Sequence, residues 1–223
     1  HLQVKTLRGR LRDTQIQVDG LVALAGNTDA RPNPGRIDLS VTGLRLDERL
    51  RQQLPPDWQT LFDMYDPVGI VDLSTTLRPR SDRDPVTSWQ PTDSVLTARK
   101  CQVRHAKFPY PVQSLVGTLT QQGHAHDMLV HLDGTAGGRP IRFRGRVHNV
   151  GPTASSQIDI SVDRFPLDKQ LRQAVSPSVR RTLELLGLGG TADLRARLTR
   201  PPGAKQPLTT QISGRLVDAH TLY

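Results

Sequence analysis

The chain has 223 residues, with 30 Lys and Arg against 21 Asp and Glu, a formal charge of +9, 35% apolar residues and a single cysteine. One cysteine excludes an internal disulfide framework and Cys-rich zinc sites. No run approaches the roughly 18 uncharged apolar residues of a spanning helix, and no segment has the pattern of a signal peptide, so the chain reads as soluble. With 17 prolines, 18 glycines and 4% aromatics, the composition favours many short elements joined by turns over long helices.

The chain is in strand-like alternation from Leu2, Val4 and Thr6, with no initiator Met, and is expected to be a fragment of something longer. Arg8, Arg10 and Arg12 fall on the face opposite the aliphatics. Ile16 and Val18 continue the pattern, and Ile37, Leu39 and Val41 then alternate with Asp38, Ser40 and Thr42, which means one buried and one solvated strand face. Asp47 is placed to cap a helix. Leu50, Leu54, Trp58, Leu61 and Tyr65 follow at helical spacing, and Pro55-Pro56 divides the run into two short helices over 47–66. Val71, Leu73 and Leu77 mark the next strand. A solvated connection from Arg78 to Pro91 follows, and Phe108-Pro-Tyr-Pro leads into Val112 to Leu119. Met128, Val130 and Leu132, then Ile141, Phe143 and Val147, form a hairpin around the Gly-rich turn after Asp133. Arg142, Arg144 and Arg146 occupy its other face. Ile158, Ile160 and Val162 form a further strand. Asp168 then opens a second helical segment over 168–186, with Leu171, Val175, Val179 and Leu186 on its apolar side and Ser176-Pro177 at its break. Leu194 and Leu198 alternate with Arg195 and Arg197, and Pro201 to Pro207 is a second solvated connection.

Sliding the sequence by 121 residues aligns Ile37–Leu77 with Ile158–Leu198 without a gap, and 14 of the 41 positions are identical. They include Asp38, Asp47, Pro56, Gly69, Asp72 and Leu73, each with its partner 121 later. This is the signature of an internal duplication. Weaker matches pair Val4–Leu11 with Val112–Leu119, and Ile16–Val22 with Ile141–Val147. Residues 1–108 therefore read as one repeat, with its helical insertion at 47–66, and residues 109–223 as a second, with its insertion at 168–186. A third would begin at about 210–223. The expected fold is mostly β, with tandem repeats of a curved antiparallel sheet forming an open, elongated groove. Its candidate lining is Ile16, Val18, Ile37, Leu39, Val41, Val71, Leu73, Leu77, Met128, Val130, Leu132, Ile141, Phe143, Val147, Ile158, Ile160, Val162, Leu194 and Leu198.

The order of strand, helical segment Leu46–Gly69, strand Ile70–Leu77, and then Phe-Pro-Tyr-Pro followed by Val-x-x-Leu-x-Gly-x-Leu over Val112 to Leu119 resembles the AsmA, TamB and YhdP superfamily of repeat-built bacterial envelope proteins. The resemblance covers most of the chain. It implies a folded β-sheet with an apolar concave side, anchored in the inner membrane by a segment outside this sequence. It further implies a periplasmic location and a part in phospholipid transport or outer-membrane biogenesis, with phospholipid and neighbouring repeats of the same chain as partners.

Other chemistry is weaker in the residues. His124 and His126, with Asp127 and His131 near, share a strand face, but two ligands are not a metal site. Cys101 stands beside Lys100 without a legible base and reads as a small core residue. The repeated acids Asp38/Asp159, Asp47/Asp168 and Asp72/Asp193 read as caps, turn partners or solvated strand positions, since a catalytic pair is not stamped into each copy. No phosphate-cradling loop, GxSxG or HExxH occurs, and neither enzyme activity nor a cofactor is expected. Arg outnumbers Lys 25 to 5, which suits polyanions, but stacking aromatics are absent from the basic faces and no nucleic-acid partner is expected. A ligand-free envelope spacer and a basic polyanion-binding module remain the alternatives.

Overall fold

In the computed structural model, residues 2–22, 35–79, 89–121, 127–149, 154–203, 207–218 and 220–221 are described. Their strands are β1 (Leu2–Leu11), β2 (Thr14–Val22), β3 (Arg36–Leu46), β4 (Val68–Pro79), β5 (Trp89–His105), β6 (Phe108–Gln121), β7 (Asp127–Ala136), β8 (Arg139–His148) and β9 (Ser155–Pro166), then β10 (Leu188–Gly189), β11 (Thr191–Arg200), β12 (Thr209–Leu216) and β13 (His220–Thr221). The helices are α1 (Glu48–Gln53), α2 (Pro56–Tyr65), α3 (Lys169–Ala174) and α4 (Pro177–Leu185).

Eleven of the strands form one open antiparallel sheet in the order β1 to β9, β11, β12, each hydrogen-bonded to the next, while β10 pairs with β13. Antiparallel neighbours need only short turns, and the turn-rich composition supplies them. The helix pair α1–α2 lies between β3 and β4, and α3–α4 lies between β9 and β11.

The two helical insertions start in the same way. The Asp47 carboxylate accepts the N–H groups of Arg49 and Leu50, and Asp168 accepts that of Leu171, which satisfies donors that the first turn leaves orphaned. Pro56 and Pro177 each open the second helix of a pair, where the missing N–H costs no bond.

The flanking strands also match. Ile37 faces Leu77 and Val41 faces Leu73; 121 residues later Ile158 faces Leu198 and Val162 faces Leu194. Both pairs of strands carry a bulge at the same place, between Val41 and Leu44 and between Val162 and Phe165. A carboxylate fills each one: Asp72 Oδ1 accepts the Gly43 N–H at 2.9 Å, and Asp193 Oδ1 accepts the Arg164 N–H at 2.9 Å. Gly20 opposite Ile37 and Gly145 opposite Ile158 extend the correspondence to the preceding strands. The strand that stands two places before β9 is β7, as β1 stands two places before β3. Val4–Leu11 and Val112–Leu119, similar in sequence, thus lie at different places relative to the insertions. Both have one-sided strand chemistry with a central glycine, which is enough to make them alike.

The core lies on one face of the sheet in two clusters, one of which includes helix α3. One cluster joins Tyr110, Ile141, Val162, Phe165 and Ala192 of the sheet to Leu167 and to Leu171 and Ala174 of α3. A second holds Val71, Ala98, Cys101 and Leu115 on β4, β5 and β6. The first helix pair buries no residue of its own. It meets β5 through the Tyr65 ring, 5.2 Å from that of His105, and through the Met64 carbonyl, which accepts the Ala106 N–H at 2.8 Å.

Candidate functional site: the apolar face of the sheet

Cross-strand register decides which side chains stand side by side, and here it lines them up across the whole sheet. One row runs Gly9, Ile16, Val41, Leu73, Leu96, Leu119, Val130, Gly145, Ile158, Leu198, Thr210, one residue from each of the eleven strands. A second row on the helix side runs Leu44, Val71, Ala98, Gly117, Leu132, Phe143, Ile160, Ala196, Ile212. All nineteen positions of the expected lining fall on this one face. Leu7, Leu96 and Leu119 join it as well. At Leu96 the alternation is ambiguous in sequence because Val95 beside it is also aliphatic, and only the register assigns the two residues to opposite faces.

Two glycines keep the rows continuous. A Cβ on Gly145 would stand 2.2 Å from the Gln157 carbonyl oxygen, and one on Gly117 would stand 2.1 Å from that of His131. Neither contact is tolerable, so the strands approach closely there only because no side chain is present.

Burial divides the nineteen. Val71, Ile141 and Val162 are 2%, 7% and 5% exposed and belong to the packed clusters, with Leu132, Phe143, Ile160 and Leu194 packed against them. These seven are taken up by the protein's own core. Val130 is also buried, at 6%, but belongs to neither cluster. Val18, Ile37, Leu39, Val41, Leu73, Leu77, Met128, Val147, Ile158 and Leu198 are half-buried, and Ile16 is exposed. None of these eleven belongs to a packed cluster. Among the described residues, the packed clusters hold the part of the apolar face nearer the helices, and toward the opposite ends of the strands its side chains are mostly half-buried and lie outside those clusters. On β4 and β5 its outer part turns polar, where the Thr75 and Ser94 hydroxyls hydrogen-bond at 2.8 Å.

The opposite face carries charge, part of it in ion pairs. Arg144 makes a bidentate contact with Asp133 at 2.8 Å, Arg195 reaches Asp163 at 2.7 Å, and Arg197 reaches Asp159 at 2.6 Å. Arg99 is bound to Asp72, and His148 to Asp127. Asp38, the counterpart of Asp159, accepts from Arg36 and from Thr76. The repeated acids thus serve as caps, bulge ligands and cross-strand partners.

The remaining reactive groups are structural in their surroundings. Cys101 is buried and its thiol points at the Ile70 carbonyl 3.2 Å away; burial pushes its ionisation up, the opposite of an activated nucleophile. Tyr110 donates to Asp168 at 3.4 Å, and burial together with that carboxylate pushes its phenol up to about 12. Among the described residues no three metal-ligating side chains come together, and no helix is long and apolar enough to cross a membrane. Asp127 is engaged by His148, and His124 and His126 lie outside the described residues.

No family model, curated protein or solved structure matches this chain.

Proposed function

We propose that the chain is a two-repeat segment of an AsmA-like envelope protein whose apolar sheet face shields lipid acyl chains. The observation that carries this reading is the aliphatic row from Ile16 to Leu198, interrupted only by Gly145, with most of its side chains outside the packed clusters. At about 4.8 Å per strand, the row extends for roughly 40 Å. Exposed aliphatic surface in water is unfavourable by roughly 25 cal/mol per Å², and an acyl chain laid along the row gains about 0.8 kcal/mol for each methylene it buries. Because aliphatic residues follow one another from strand to strand over most of the row, neighbouring chain positions differ little, and movement along it meets small barriers. The role is passive, with no bond made or broken.

The matched registers, caps and bulge carboxylates 121 residues apart support the reading of two copies of one unit. On this reading the parent protein is periplasmic and held at the inner membrane by a segment outside this sequence, and further copies extend the same face.

The test is lipid occupancy. The protein, expressed in a Gram-negative host and purified without detergent, is extracted with organic solvent and analysed by mass spectrometry. Co-purified phospholipid in stoichiometric amount is expected, and Leu73→Asp combined with Leu96→Asp is expected to remove at least nine-tenths of it. A folded protein free of lipid would instead make the sheet a spacer.

A further inference from the structure

The polar face carries two concavities, and the same three side-chain types line both. In the first, of 410 Å³, Arg8, Gln17 and Ser40 stand side by side on β1, β2 and β3. In the second, of 540 Å³, Arg146, Gln157 and Thr199 stand side by side on β8, β9 and β11. The two sets lie at different places relative to the helical insertions, so they are not counterparts in the 121-residue correspondence. Each brings together a guanidinium, an amide and a hydroxyl on adjacent strands, with neighbouring Cβ atoms about 5 Å apart.

In the first set the amide has an anion of the chain itself. Gln17 Nε2 donates to Asp19 Oδ2 at 2.9 Å, and Thr6 donates to the other oxygen at 2.5 Å. These hydrogen bonds, chiefly that of Thr6, with the charge of Arg8 nearby, hold the Asp19 carboxyl below its ordinary range.

In the second set no carboxylate accepts from the amide. Asp159, two places beyond Gln157, lines the same concavity and is bound by Arg197 at 2.6 Å. Asp127, at the far end of the hairpin, is claimed by His148. The side chains of Arg146, Gln157 and Thr199, and those of Ser155 and Ser156 at the rim, have no hydrogen-bond partner among the described residues. The nearby carboxylates are therefore engaged by other side chains, while an arginine and a set of neutral donors face the same concavity. An arginine fork flanked by neutral donors is the arrangement that binds phosphate and carboxylate oxygens.

We infer that the concavity around Arg146, Gln157 and Thr199 is an oxyanion site that takes a phosphate group, either free or on a lipid headgroup. It lies on the face opposite the aliphatic row and does not depend on the acyl-chain reading. Arg146 supplies the charge and a bidentate contact, and Gln157 and Thr199 donate to the remaining oxygens.

The experiment titrates inorganic phosphate into the protein at low ionic strength by calorimetry, with chloride as control, and measures co-sedimentation with phosphatidylglycerol vesicles against phosphatidylcholine vesicles. Arg146→Ala is expected to weaken binding at least tenfold and Gln157→Leu several-fold. Arg142→Ala removes an arginine from the same strand and face outside the concavity and is expected to change binding less than twofold. Arg146→Lys keeps the charge without the fork and is expected to fall between, and unfolding curves establish that each variant is folded. Arg146-dependent binding of inorganic phosphate identifies a free anion as sufficient, whereas Arg146-dependent binding to phosphatidylglycerol vesicles alone identifies the headgroup; either result upholds the site. Absence of both, or equal losses in Arg142→Ala and Arg146→Ala, overturns it by reducing the effect to overall charge.

Discussion

Asp72 and Asp193 show how a single side chain fixes strand geometry. A bulge leaves a backbone N–H without a partner in the ladder, and a buried or half-buried orphan donor is costly. Each aspartate reaches across from the neighbouring strand to accept it. The Arg164 N–H, followed by the Arg215 guanidinium, holds the Asp193 carboxyl below its ordinary range against some desolvation. The sign of the pH dependence follows: a group whose ionisation is depressed by folding stabilises the protein above its unfolded pKa, and this contribution is lost as pH falls through the folded value. Asp193→Asn keeps an oxygen for Arg164 but no charge. Urea midpoints measured between about pH 5 and pH 2 are expected to fall less steeply in this variant than in the parent, and parallel slopes would refute the assignment. The capping role of Asp47 and Asp168 is legible in the sequence because it depends only on residues up to three positions away. The bulge role is not, because it depends on which residues face one another across β3–β4 and β9–β11.

At the scale of elements, the two helix pairs have similar patterns and different fates. Leu171 and Ala174 of α3 are buried against Tyr110, Ile141 and Phe165, whereas α1 and α2 bury nothing and leave Trp58 and Tyr65 exposed. Periodicity reports that a helix has an apolar side, and it does not report how deeply that side docks. Leu171→Ala is expected to cost about 2–4 kcal/mol in a denaturant titration, and Leu50→Ala, at the corresponding half-exposed position, less than half as much. Equal costs would contradict the difference in docking. Among the strands, β3, β4, β7, β8, β9 and β11 are legible because one face is aliphatic and the other is not. Within β5 the run Ser94-Val95-Leu96-Thr97 has no clean alternation, and the sequence leaves its two faces unassigned. The pairing of Leu96 with Leu73 and Leu119 settles them.

For the whole molecule, the opening charge of +9 takes on a different aspect. Arg144, Arg195, Arg197 and Arg99 are matched by acids on the same face, so part of the positive charge is balanced where it stands. Among the described residues, much of the apolar content stands on one side of the eleven-stranded sheet, in packed clusters toward the helices and half-buried outside them toward the other end. Among the described residues, β1 and β12 each have one edge without a pairing strand, and β12 is exposed along its whole length. The one-sidedness was legible from alternation, but the split of the apolar face into clustered and unclustered positions was not, because it depends on which residues pack against one another across strands and against α3. The acyl-chain reading concerns the unclustered positions, so the most direct measurement compares neighbouring residues on the two faces. A photo-cross-linking amino acid is placed at Leu73 or Val41 on the apolar row, and at Ser74 or Ser40 beside them, in protein irradiated in cells before purification. Phospholipid adducts are expected at Leu73 and Val41 and not at Ser74 and Ser40. Adducts of equal yield at all four positions, or none at any, would contradict the proposal that this face carries lipid.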